Sequence, residues 1–130
     1  LASDGTNALG EMGGFLQVSG LTFTYRTDIP SPVVLDASEM FAGISGERRV
    51  QSVLIGGRPL DAAAAYTLAG ADFLVRDAGN GFSMLSQGTM LRSDFGLDFD
   101  VLCDYLTGTY LKDTAKYAPV YGEGRIAAAE

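Results

Sequence analysis

Leu21-Thr22-Phe23-Thr24-Tyr25 alternates strictly between large apolar or aromatic residues and threonine. A period of two fits only an extended strand, so Leu21, Phe23 and Tyr25 share one face of a half-buried β-strand. A lone strand cannot satisfy its backbone, and the sequence must therefore supply pairing partners. One is at hand in Arg49 to Ile55, β-branched and apolar, where Gly56-Gly57 provides a hairpin turn and Arg58-Pro59-Leu60 a short return. Gly124-Arg125-Ile126-Ala127 reads as a closing strand, and Tyr66 to Val75 as a further one that runs into the glycine-containing loop Arg76 to Gly81.

Between these lie less regular stretches. Residues Leu1 to Gly14 carry no sustained period and read as a loop with at most one helical turn. Asp28 to Gly46, with two prolines and several turn formers, reads as a surface excursion held by the apolar patches Val33-Val34-Leu35 and Met40-Phe41. Leu97 to Leu106 predicts a helix that is apolar on all but a narrow arc shared by Asp100 and Asp104, and hence mostly buried. Ser93 or Asp94 stands where a cap is needed, and Asp98 lies in the first turn, where the helix dipole favours negative charge. Strands around one helix predict an α+β fold, a mixed β-sheet packed with helices. At 130 residues the chain fits one domain, long enough to bury roughly two thirds of its unfolded surface.

Composition narrows the chemistry. There is no histidine, which excludes a Ser-His-Asp triad, a Cys-His pair, a histidine base and a histidine-containing zinc site within the chain. Sixteen acidic against nine basic side chains give a net charge of -7, which argues against nucleic acid or an anionic membrane surface as partner. No apolar run has the length for membrane insertion. The single cysteine, Cys103, forms no internal disulfide and falls on the apolar side of the helix, where a buried, inert thiol is expected. Asp98, Asp100 and Asp104 lack the spacing of a calcium loop and read as helix capping plus a solvated face.

Three residues invite a binding role. Phe15 follows Gly13-Gly14, Phe73 closes the expected strand, and Gly79-Asn80-Gly81 can bring backbone close to a ligand. By residue type alone the phenylalanines are ordinary core residues and the loop is an ordinary tight turn. The alternative is two stacking platforms for an aromatic ligand.

The order of these segments favours the alternative. Gly13-Gly14-Phe15-Leu16-Gln17-Val18-Ser19-Gly20-Leu21, Arg49 to Val53 continuing through Gly56-Gly57-Arg58-Pro59-Leu60 to Tyr66-Thr67-Leu68-Ala69, Asp72-Phe73-Leu74 with Gly79-Asn80-Gly81-Phe82, and Gly124-Arg125-Ile126 together resemble the C-terminal domain of the 5'-nucleotidase family. That family includes UDP-sugar hydrolases and 2',3'-cyclic nucleotide phosphodiesterases. The resemblance implies a domain that recognises the nucleoside part of a nucleotide, with the base held between Phe15 and Phe73 and the ribose near Asn80. The family places aspartate where Asn80 stands, and a neutral amide forgoes the charge-assisted hydrogen bond, which is roughly twice as strong.

The resemblance further implies no cofactor in this chain. It places a divalent metal pair and the catalytic residues in a separate N-terminal metallophosphoesterase domain, and the residues nearest the phosphate largely ahead of Phe15. The chain then corresponds to a domain without its first elements, inactive by itself and prone to self-association through exposed apolar surface. An extracellular, periplasmic or cell-surface location is also implied. A non-enzymatic surface binding or interaction module that retains the fold is the competing expectation, motivated by Asn80.

Overall fold

A computed structural model of the chain describes residues 16–108, 112, 115, 118 and 122–129. The expected loop over Leu1 to Gly14 lies outside them. Residues up to Gln87, together with Arg125 onward, form one compact unit, and Gly88–Gly124 form a second.

In the first unit, β1 (Leu21–Tyr25) takes the strand its alternation demands. It pairs antiparallel with β4 (Val50–Ile55), with Leu21 opposite Ile55 and Phe23 opposite Val53. The Gly56-Gly57 turn has positive φ at both residues, 57° and 78°. Two glycines meet that demand without a Cβ penalty, and their twist matches the flanking strands. The return strand β5 (Arg58–Pro59) is two residues long, and its proline suits an edge.

The closing strand β6 (Ile126–Ala128) lies on the other side of β1 and runs parallel to it. The sheet order is β5-β4-β1-β6, a mixed sheet as expected. Register places Val53, Phe23 and Ile126 in one row across three strands. Residues in register face the same side, and each such neighbouring pair contributes roughly 0.2–1 kcal/mol. All three are half-buried, so this row is the centre of the unit's apolar face. Arg125 fastens the entry to β6 by donating to the Val18 carbonyl at 2.7 Å.

Asp28 to Gly46 is more regular than an irregular excursion. The two apolar patches become β2 (Val33–Leu35) and β3 (Phe41–Ile44), an antiparallel two-stranded sheet with Val33 opposite Ile44. The turn between them is built by Asp36, whose carboxylate accepts from the backbone N–H groups of Ser38 at 2.8 Å and Met40 at 3.0 Å. A side chain that mimics backbone in this way closes a hairpin without an Asn-Gly or Gly-Gly signal. Ile29, 7% exposed, is the one buried residue among those described.

The strand expected over Tyr66 to Val75 does not form. Residues 65–71 have no regular hydrogen-bonding pattern, and Asp72–Val75 is a single helical turn, α1. The Ala71 carbonyl accepts from Leu74 and Val75, both at 3.0 Å, and the Asp72 carboxylate takes the otherwise open Phe73 N–H at 2.8 Å. Asp72 also pairs with Arg76 at 3.2 Å across i,i+4. An acid at the start and a base four residues on favour helix over the strand preference of Phe73 and Val75.

In the second unit, the expected helix is α2 (Asp98–Gly108). Its first bond is accepted by the Leu97 carbonyl from Val101 at 3.0 Å, and Asp98 accepts the Phe99 N–H at 2.7 Å. Ser93 donates to Asp94 at 3.3 Å, ahead of the helix, instead of capping it. The expected burial fails: Phe99 is 68% exposed and Leu102 is 54% exposed. A helix needs a second layer to cover its apolar side, and no described residue of this unit forms one. Cys103 is correspondingly half-buried and free, not fully buried.

Candidate functional site

The glycine loop following α1 is bent sharply by its own backbone. Ala78 and Asn80 both adopt left-handed conformations, with φ of 55° and 54°, and Gly81 follows at φ 81°. Gly79–Gly81 make one 3₁₀ turn that ends as Phe82 N–H donates to the Gly79 carbonyl at 3.3 Å. Asparagine tolerates the left-handed region well, whereas alanine at 78 holds it at a cost of about 1 kcal/mol or more.

Phe73 lies against this loop. A Cβ added to Gly79 would sit 2.4 Å from Cε1 and Cζ of the phenyl ring, so only glycine at 79 lets the ring rest there. Phe73 as a whole is 54% exposed. It is thus held on one side by the loop and open on the other, whereas a core phenylalanine is enclosed. Asn80, the next residue, is exposed as well. Phe73 and Asn80 are thus both exposed, and Asn80 follows the glycine on which the ring rests. Phe15 lies outside the described residues.

The other side of the loop rests on the β2–β3 turn. A Cβ at Gly81 would meet the Glu39 carbonyl oxygen at 2.6 Å, and the Ser83 hydroxyl donates to the Phe41 carbonyl at 2.8 Å. Glu39 itself is exposed and left-handed, with φ 60°. Its place beside the loop is almost unmarked in the sequence. The only signal was the Asp36-Ala37-Ser38-Glu39 turn pattern, which does not say where the turn lands.

Arg76 and Asp77 give the rim of the loop its charge. Arg76 donates twice to the Asp77 carboxylate, at 2.7 and 2.8 Å. This guanidinium holds the Asp77 carboxyl below its ordinary value. Arg26 does the same for Asp28 at the far end of β1. Because the folded value is lowered, the contribution of the Asp77 pair is present above the ordinary aspartate range and disappears as pH falls through the lowered value. Carboxyl carbon shifts followed by NMR against pH are expected to give an Asp77 midpoint below that of an unpaired aspartate. In Arg76→Gln it should return to the ordinary value; a midpoint indifferent to that change would remove the pair.

Chemically, the surface offers a π face, an amide, and backbone groups exposed by a tight turn. Among the described residues no three His, Cys, Asp or Glu side chains converge as a cation site, and no helix is long and apolar enough to cross a membrane.

No curated protein and no solved structure matches the chain. The family model described as 5'-nucleotidase, C-terminal domain, matches residues 5–87. Its end coincides with the last residue of the first unit's long segment, so the matched region carries α1, the glycine loop and every strand but β6. Matched over more than half its length, with the mixed sheet and helices in place, the chain belongs to the family of 5'-nucleotidase C-terminal domains.

Proposed function

We propose that this chain recognises the nucleoside part of a nucleotide, with Phe73 stacking on the base and Asn80 contacting the ribose. The observation that carries the reading is the half-exposed Phe73, its ring seated on Gly79, with the exposed Asn80 next in sequence. An aromatic face open on one side accepts any base, since every base has a π face, and so favours breadth over selectivity. Phe15 would close the sandwich from the opposite side.

Hydrolysis of the phosphate ester is assigned to a separate N-terminal metallophosphoesterase domain. A divalent metal pair there would polarise the phosphoryl group and activate water. The chain's own task is to hold the nucleoside, which fixes the ester relative to those metals. Action outside the cytoplasm and self-association through exposed apolar residues such as Phe95 and Leu97 belong to the same proposal. Asn80 favours a second reading, a binding module without hydrolytic activity, and the presence of metal-ligand residues in the partner domain separates the two.

Titration calorimetry of the chain with adenosine, cytidine and free ribose tests base recognition. Both nucleosides are expected to bind and ribose alone to give no measurable heat. Ribose binding as tightly as the nucleosides, or nucleosides failing to bind, would sink the assignment.

A further inference from the structure

The chain has two asparagines, Asn7 ahead of Ala8 and Asn80 ahead of Gly81. The neighbour matters chemically. A backbone nitrogen that follows asparagine can attack the side-chain carbonyl carbon, and a glycine nitrogen does so most readily because no Cβ shields it. Asn80 is exposed, and among the described residues its amide makes no hydrogen bond that would restrain it. The closed loop opposes the attack through one angle. Ring closure needs the Gly81 nitrogen on the same side as Asn80 Cβ, and at ψ 28° it points away from it. The reaction therefore runs through an opened loop. Opening is within reach: the turn is closed by a bond of 3.3 Å from Phe82 to Gly79, longer than the usual range, and opening releases Ala78 from its left-handed conformation. The Ser83 hydroxyl on the Phe41 carbonyl, at 2.8 Å, is the tie that holds the loop to the β2–β3 hairpin.

We propose that Asn80 is a site of spontaneous covalent modification, converting through a succinimide to isoaspartate and aspartate. The inference is independent of the nucleoside reading above. The Gly81 nitrogen bonds to Asn80 Cγ, the Cγ–Nδ2 bond breaks, and Nδ2 leaves as ammonia with the proton that Gly81 nitrogen gives up. Water then opens the ring. Cleavage between the Asn80 main-chain carbonyl carbon and the Gly81 nitrogen gives isoaspartate, and cleavage between Cγ and that nitrogen gives aspartate. No oxidant or reductant is involved. In the isoaspartyl product the Asn80 Cβ becomes part of the main chain, which is longer by one atom at this point. The loop has no slack for it, since an added Cβ clashes with the Phe73 ring at Gly79 and with the Glu39 carbonyl at Gly81. The conversion thus unseats the loop and adds a negative charge close in sequence to Asp77.

The test incubates the full chain in neutral buffer, folded and in urea, and follows the tryptic peptide from Asp77 to Arg92 by mass spectrometry. Isoaspartate in that peptide is detected by methylation with an isoaspartyl methyltransferase. In the folded chain Asn80 is expected to lose its amide well ahead of Asn7, with isoaspartate as the main product. Asn80→Gln, which would need a larger ring, should give no isoaspartate in the peptide. Ser83→Ala removes the tie to Phe41 and should speed the conversion about 2- to 10-fold, the loss of one hydrogen bond expressed as a larger population of opened loop. Asn80 that stays intact in the folded chain after it has converted in urea would overturn the proposal. An unchanged rate in Ser83→Ala would overturn the route through an opened loop.

Discussion

Gly81→Ala is expected to destabilise the chain by about 3 kcal/mol, seen as a lower midpoint in urea at unchanged slope. Two costs combine. Gly81 has φ 81°, where any Cβ is strained by about 1–2 kcal/mol. The new methyl would also lie 2.6 Å from the Glu39 carbonyl oxygen, a backbone atom that cannot rotate away. The turn that carries it is tied by Asp36 to Met40, and the segment after Gly81 is tied by Ser83 to Phe41. Overpacking against a fixed neighbour adds about 1–3 kcal/mol. Gly57→Ala provides the control: its φ is 78°, but nothing lies within 4 Å of an added Cβ. It should show the backbone term alone, about 1 kcal/mol. Equal losses in the two variants would mean that the loop does not rest on the β2–β3 turn.

That contact also marks where sequence reasoning stops. Period-two alternation at Leu21, Phe23 and Tyr25, and the Gly56-Gly57 turn, are local signals, and both became the structures they specify. β6 was legible as a strand but not as the parallel neighbour of β1, because pairing partners are set by the whole sheet. Phe73 shows the opposite failure. The strand expected over Tyr66 to Val75 gives way at Phe73 to a helical turn, because the Asp72 carboxylate holds the Phe73 N–H and pairs with Arg76, which outweighs the strand preference of the residue type. The turn at Asp36 depends on a side chain substituting for backbone, which residue-type patterns register weakly. For α2 the error was in inferring burial from an all-round apolar wheel, since burial also needs a covering layer. The Gly79-Asn80-Gly81 motif is a local signal, whereas the contact of the Glu39 carbonyl with Gly81, some forty residues apart in sequence, forms only once the chain is folded.

Phe73→Ala is expected to lower the chain's affinity for adenosine by about 5- to 150-fold, the equivalent of the roughly 1–3 kcal/mol that one stacked base contributes. Stability should change by less than about 1 kcal/mol, because Phe73, 54% exposed, contributes little burial. Phe73→Tyr keeps the π face and should retain affinity. The more discriminating variant leaves the ring intact: in Gly79→Ala the added methyl would stand 2.4 Å from Cε1 and Cζ, and the phenyl ring, being the free end of a side chain, must swing aside. If stacking depends on the ring's present seat, Gly79→Ala should lose a substantial part of what Phe73→Ala loses, with little effect of its own on folding. If affinity comes instead from general apolar contact, Gly79→Ala should bind like wild type while Phe73→Ala still weakens. Wild-type affinity in Phe73→Ala itself would remove Phe73 from the site and return it to the ordinary surface. The pair of variants thus separates the presence of an aromatic ring from its placement, and placement is what the Gly79 contact provides.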